Sequence, residues 1–109
     1  MHYRVRITRS AARDIDAIAA YLNREAGHGV ALQWLEAIEK AIQSLATHPQ
    51  RGANPKDIAR LSAIARKQLL VDKYRVIYQI SKADVCVEMV VDARRNVYAA
   101  FSQRMRSDY

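Results

Sequence analysis

Tyr74-Arg75-Val76-Ile77-Tyr78-Gln79-Ile80, followed after a four-residue break by Val85-Cys86-Val87-Glu88-Met89-Val90-Val91, is the stretch on which the fold turns. In the first run Tyr74, Val76, Tyr78 and Ile80 face one way, and Arg75, Ile77 and Gln79 the other. That two-residue period is the mark of a strand. The second run alternates Val85, Val87, Met89 and Val91 with Cys86, Glu88 and Val90. Its near-continuous apolarity suits a central strand covered on both faces. Ser81 to Asp84 turns the chain between the two. Upstream, Ala65 to Val71 is expected as a third strand, joined through the two-residue turn Asp72-Lys73. Three strands with short turns form an antiparallel meander.

Working outward, Tyr3 to Thr8 alternates again, with Tyr3, Val5 and Ile7 opposite Arg4, Arg6 and Thr8, and predicts a first strand. The face with two arginines is either solvated or part of a site. Ser10 is expected to cap a helix, with Asp14 and Asp16 near its positive end. Ala11, Ile15, Ile18 and Leu22 give that helix an apolar stripe, and Gly27 and Gly29 close it. A second helix is expected from Val30 to Ala46, with stripe Ala31, Leu35, Ile38, Ile42 and Leu45 and a length of roughly 25 Å. Pro49 and Gly52 stop it. Helices joined by so few residues pack as an antiparallel hairpin. Pro49 to Asp57 reads as a loop, and Ile58, Leu61 and Ile64 allow a short helical turn. After Asp92, a terminal helix carries Val97, Phe101 and Met105. The reading is therefore an α+β domain spanning 1–109: strand, helical hairpin, three-stranded antiparallel meander and short C-terminal helix. The hairpin buries one sheet face and the other is expected to be open.

Composition narrows the function. The chain is 109 residues long, half of them hydrophobic, an ordinary globular balance. Its single cysteine permits no internal disulfide, and three scattered histidines give no zinc-ligand spacing, so no metal or cofactor is expected. No apolar run reaches the roughly 18 residues of a membrane span, and the amino terminus lacks the apolar core of a secretory signal. A soluble, cytoplasmic protein with no membrane partner is the expectation. Eighteen basic residues against eleven acidic give a net charge of +7. Most of the excess follows Asn54, and most of the cations are arginine. That balance points to a polyanionic or acidic partner recognised through planar, bidentate contacts.

Sites for familiar chemistry are missing. The sequence has no Gly-rich phosphate loop, no HExxH and no nucleophile elbow. Cys86 lies among valines, where burial raises a thiol pKa and favours a structural role. Cations and tyrosines remain. Arg75 points away from Tyr74, Val76 and Tyr78; Arg94, Arg95 and Tyr98 follow the last strand; Arg66 and Lys67 begin the strand before Arg75. Gathered on one sheet face, such groups stabilise charge on a phosphodiester, and a tyrosine with a lowered pKa moves the proton in metal-free RNA cleavage. The alternative is structural, with Arg75 paired to Glu88 or Asp92 and Tyr98 packed in the core.

Ala12-x-Asp14-Ile15-x-x-Ile18-x-x-Tyr21-Leu22 after a first strand resembles the RelE/ParE superfamily of type II toxin–antitoxin toxins. So do Ala31…Leu35-x-x-Ile38…Ile42-x-x-Leu45…His48-Pro49-x-x-Gly52, Tyr74-Arg75-Val76-Ile77-Tyr78, and Val85-x-Val87…Val90-Val91-Asp92-x-Arg94-Arg95. The resemblance spans nearly the whole chain. It implies a growth-inhibiting toxin neutralised by a cognate antitoxin, with DNA bound only indirectly through their complex. Two activities share the fold. ParE-like members poison DNA gyrase and are not enzymes in doing so. RelE-like members are endoribonucleases that cut mRNA on the ribosome. For RelE-like cleavage the resemblance implies Arg75, Arg94, Arg95 and Tyr98 as catalytic residues. Lys56, Arg66, Lys67, Arg75, Arg94 and Arg95 would bind RNA or target, and Arg75, Arg94 and Arg95 the antitoxin. The hairpin signatures are ParE-like. A histidine common before the arginine pair is replaced by Asp92-Ala93, and the RelE-like lysines map only loosely to Lys56 or Lys67. The expectation is accordingly a ParE-like toxin, with RelE-like cleavage as the alternative.

Overall fold

The computed structural model describes residues 2–108; residues 1 and 109 of the expected domain lie outside the described residues. Strand β1 (Arg4–Ile7) leads into helices α1 (Arg9–Ala26) and α2 (His28–Ser44). Two single 3-10 turns, Pro49–Arg51 and Ala59–Leu61, punctuate the next segment. Then come β2 (Lys67–Val71), β3 (Tyr74–Ser81), β4 (Asp84–Asp92) and helix α3 (Val97–Asp108). The sheet order is β1-β4-β3-β2, with β1 parallel to β4 and the other pairs antiparallel. The expected α+β architecture is present, with the meander extended by a parallel edge strand. No helix among the described residues is long and apolar enough to cross a membrane.

Helix boundaries moved for local reasons. Thr8, not Ser10, caps α1: its backbone is extended and its Oγ1 accepts from the Ala11 amide at 3.0 Å. Asp14 thus falls in the second turn and does other work. Gly27 alone serves the hairpin corner, at φ 100°, a region few side chains tolerate. Gly29 lies inside α2, which starts two residues earlier than expected.

The hairpin packs on one sheet face. Ala11, Trp34, Ile38, Ile42 and Leu45 meet Leu69, Tyr74, Val76, Tyr78, Val85, Val87 and Val90. Trp34, which the stripe reading passed over, lies edge-on to Tyr74 with ring centroids 5.2 Å apart. The other face is not open. Ile58, Ile77, Met89, Val91, Val97 and Phe101 form a second core beneath α3 and the 53–66 strap.

One extra residue reconciles the two cores. Tyr78 pairs with Val87 and Ile77 with Met89, so Glu88 has no partner on β3 and forms a bulge. The alternation reverses there: Val85, Val87 and Val90 face the hairpin, while Met89 and Val91 face α3. This corrects the expectation that all four odd-numbered residues share one side. Glu88 is buried, and Arg66 answers it with Nε–Oε1 at 2.7 Å and Nη2–Oε2 at 3.2 Å. The same guanidinium lies 4.8 Å from the centre of the Phe101 ring.

The loop after α2 is fastened by Tyr78. Its hydroxyl donates to the Pro49 carbonyl at 2.7 Å and accepts from the Gly52 amide at 3.1 Å. A Cβ at residue 52 would overlap that hydroxyl and come 2.7 Å from the Gln68 carbonyl. Gly52→Ala should therefore destabilise the protein by about 1–3 kcal/mol through overpacking; an unchanged urea midpoint would refute the close approach. Glu88→Gln, which leaves Arg66 buried without its counter-charge, should cost about 3 kcal/mol or more. Most of that loss should return in the Arg66→Met/Glu88→Leu pair, measured by the same denaturation.

Candidate functional site

The expected site residues fall into two groups. Lys56, Arg66, Lys67 and Arg75 belong to the strap, β2 and β3. Arg94, Arg95 and Tyr98 belong to the β4–α3 junction.

In the first group Arg66, Lys67 and Arg75 are engaged within the fold. Arg75 is on the α3 side of β3, diagonal to Gln68 because Gln68 pairs with Ile77. Its Nη1 and Nη2 donate to the Asp57 carboxylate at 2.9 Å each, and its Nε donates to Gln68 Oε1. The side chain is 12% exposed. Neither Glu88 nor Asp92 is the partner; the strap supplies it. The Arg75 guanidinium holds the Asp57 pKa below its ordinary value, against a smaller upward push from burial. Arg66 is buried in its pair with Glu88, out of reach of any RNA or target. Lys67 bonds to the Gly52 carbonyl and Asn54 Oδ1, both at 3.4 Å. Lys56 alone of this group is exposed.

The second group is exposed. Asp92 accepts from the Arg94 amide at 2.8 Å, Nε at 3.0 Å and Nη2 at 2.6 Å. These bonds hold its pKa down to about 2, led by the side-chain contact. Arg94 is thus locally neutralised. Tyr98, 51% exposed, does not pack in the core, and its hydroxyl has no hydrogen-bond partner among the described residues. Arg95 has no ion-pair partner among them either. It lines two neighbouring recesses, one with Asp14, Tyr21 and Tyr74 and the other with Asn96, Gln103 and Arg104.

Asp14, Asp57 and Arg104 were not read as site residues. Asp14 Oδ2 accepts from the Val90 amide at 3.0 Å and from Arg104 Nη1 at 3.2 Å, and Oδ1 accepts from Nη2 at 2.7 Å. One carboxylate therefore joins α1, β4 and α3. Arg104 also donates to the Glu88 carbonyl at 2.9 Å, satisfying the bulge. A basic residue one turn past Phe101 was the available signal for Arg104. Asp57 carried none, because its reach to Arg75 depends on the path of the strap. No cluster of His, Cys, Asp and Glu among the described residues is placed to hold a metal ion.

The fold is a helical hairpin on one face of a β1-β4-β3-β2 sheet, with a third helix on the other. Three solved structures share it. A chain of the chromosomal ParDE system from P. aeruginosa superposes with a TM-score of 0.69 at 19% identity, covering 85% of this chain and 98% of that one. The Mycobacterium tuberculosis RelBE2 toxin–antitoxin complex gives 0.53 at 21%, covering 84% and 99%. An arginine-to-alanine double mutant of E. coli RelE in the free state gives 0.56 at 20%, covering 100% of both. No curated protein sequence matches the chain. Residues 5–98 match the model of the ParE toxin of type II toxin–antitoxin systems, parDE, and the chain belongs to that family.

The Asp92 contact has a definite pH signature. A carboxyl whose pKa is lowered on folding contributes stability that is complete above the unfolded value near 3.9 and is lost as pH falls through the folded value. The Asp92 carboxyl carbon should titrate with a midpoint near 2 by NMR. A midpoint near 3.9 would show that Arg94 does not hold it.

Proposed function

We propose that this chain inhibits DNA gyrase as a ParE-like toxin, acting in the cytoplasm as a single domain and silenced by a cognate antitoxin. The observation that carries this reading is the engagement of the RelE-like set. Arg75 is gripped by Asp57 and Gln68, and Arg66 is buried against Glu88. Arg94 is neutralised by Asp92. Among the described residues of that set, Lys56, Arg95 and Tyr98 face solvent without such partners, and Lys56 lies on the strap, away from the β4–α3 junction that carries the other two. Binding to a protein target requires no such constellation, and the ParE family match supports that target class.

The antitoxin reading uses the same surface. A segment with acidic residues fits the recess that Arg95 lines, where exposed Tyr21 offers apolar contact. Such a segment neutralises by covering, without covalent change.

With purified gyrase, the protein should suppress supercoiling and accumulate cleaved DNA, while mRNA on translating ribosomes stays uncut. Arg95→Glu should weaken antitoxin capture at least tenfold. Full supercoiling at saturating protein, with A-site cuts that disappear in Tyr98→Phe, would replace this reading by the RelE-like one.

A further inference from the structure

Strand β4 outruns its neighbour β1. β1 ends with Ile7 opposite Val87, so the outer edge of β4 from Glu88 to Asp92 has no strand against it. The pairing with β3 decides which main-chain groups point outward there. Antiparallel neighbours alternate bonded and non-bonded pairs. The Ala93 amide donates to the Lys73 carbonyl at 2.7 Å, which makes Tyr74–Asp92 and Val76–Val90 the non-bonded pairs. Val90 and Asp92 therefore turn their amides and carbonyls away from β3.

Two of those four groups are taken. The Val90 amide donates to Asp14 Oδ2 at 3.0 Å, and the Asp92 carbonyl accepts from the Arg95 amide at 3.1 Å. The Val90 carbonyl and the Asp92 amide have no hydrogen-bond partner among the described residues. Val90 is 3% exposed, and a main-chain acceptor at so buried a residue is normally paired. The two free groups select a direction. An antiparallel strand would bond both the amide and the carbonyl of the same residue, and Val90 and Asp92 each have only one to give. A parallel strand bonds the carbonyl of one residue and the amide two positions on, which is the pair left open here.

The surroundings also suit a strand. The two recesses that Arg95 lines share Asp14, Val90 and Val91. One is walled by Ala17, Ile18 and Tyr21 of α1, on the hairpin face, and the other by Ala99, Ala100 and Gln103 of α3, on the opposite face. Successive side chains of a strand point to opposite faces, so a strand on this edge sends one into each recess. Tyr74, more than nine-tenths buried, lines the hairpin-side recess, and its hydroxyl has no hydrogen-bond partner among the described residues. The carboxylates of the recesses are matched, Asp14 by Arg104 and Asp92 by Arg94, and Asp16 lines neither recess. Arg95 is left with an unmatched charge.

We propose that the outer edge of β4 at Val90 and Asp92 receives an extended, acidic segment of the antitoxin as a strand parallel to β4. One residue of that segment donates its amide to the Val90 carbonyl and accepts from the Asp92 amide. Its side chain and its neighbour's enter the two recesses, and a carboxylate among them meets Arg95. The Asp14–Arg104 pair, which holds the Val90 amide and the Glu88 carbonyl, separates this strand from β1. The proposal rests on the antitoxin reading and adds the secondary structure, direction and main-chain anchors of the bound segment.

The test uses the whole protein and, as antitoxin, the product of the adjacent gene. By NMR, the Asp92 amide should exchange rapidly with solvent in the free protein and at least a hundredfold more slowly in the complex. The Val91 amide, bonded within the sheet, should be slow in both. With isotope labels on opposite partners, couplings across hydrogen bonds should join the Val90 carbonyl and the Asp92 amide to one and the same antitoxin residue. Asp92→Pro removes the amide without costing a bond to β3, and Asp92→Ala, which loses the same carboxylate and keeps the amide, is its reference. Proline should weaken capture at least tenfold relative to alanine. Should the proline variant misfold, exchange and couplings in the unsubstituted protein decide. A tight complex in which the Asp92 amide stays fast, or in which the edge couples to two different antitoxin residues, would overturn the parallel strand and leave the antitoxin reading intact. Partners that elute separately would overturn both. Asp92 protection that grows with concentration in the free protein would give the edge to a second copy of this chain and overturn the antitoxin as its occupant.

Discussion

The extra residue in β4 is the constraint from which the rest of the structure follows. A strand buried on both faces must present apolar side chains to each, and strict alternation would send Met89 and Val91 to the hairpin with Val85 and Val87. The bulge at Glu88 interrupts this, so one strand feeds two cores of different make-up. It also sets a carboxylate in the interior and leaves the local ladder incomplete. Arg66 supplies the counter-charge, and Arg104 supplies a donor for the Glu88 carbonyl. Neither arginine has freedom to serve elsewhere. Two of the thirteen arginines are thus structural because of one inserted residue.

The same logic extends to the surface. Apart from the local Asp92–Arg94 contact, the ion pairs among the described residues join positions distant in sequence, such as Asp14 with Arg104, Arg75 with Asp57 and Arg4 with Asp84. Isolated exposed pairs add little stability. Here they fix where the strap and α3 lie on the sheet, which decides which cations face solvent. A high net charge is therefore a poor map of a binding site until the matched arginines are subtracted. Once they are, Lys56, Arg95, Arg6, Arg9 and Arg13 are among the cations that remain, and Arg66 and Arg75 recede.

Element order and type were legible because the apolar periods are long and agree with one another. The stripes of α1 and α2 and the alternation of β3 each placed their residues on the side where the structure has them. The cap at Thr8 was missed because Ser10 has the same chemistry two residues later. The bulge was missed because valine and methionine suit either face, so register there is set by β3 and not by β4 alone. The second core escaped notice because Ile58 and Phe101 approach it from opposite ends of the sequence. Of the expected site residues, Arg95 and Tyr98 were readable as a cation and an aromatic following the last strand, while the exposure of Tyr98 was left open. The burial of Arg66 and the masking of Arg75 were not, since each depends on a partner with no sequence proximity.

The pairing of β1 with β4 bears on when this molecule comes into being. β1 is the first strand made, yet it bonds only to the last, with Arg4 opposite Asp84 and Ile7 opposite Val87. Contacts so far apart along the chain close late. During synthesis the hairpin segment has no sheet to cover, because β2, β3 and β4 follow it off the ribosome. The sheet is complete only once β4 has emerged, and α3 then seals its second face. A growing chain of this toxin thus carries an unfinished surface through most of its own translation. Truncated products of interrupted synthesis inherit that unfinished surface and lack the working fold.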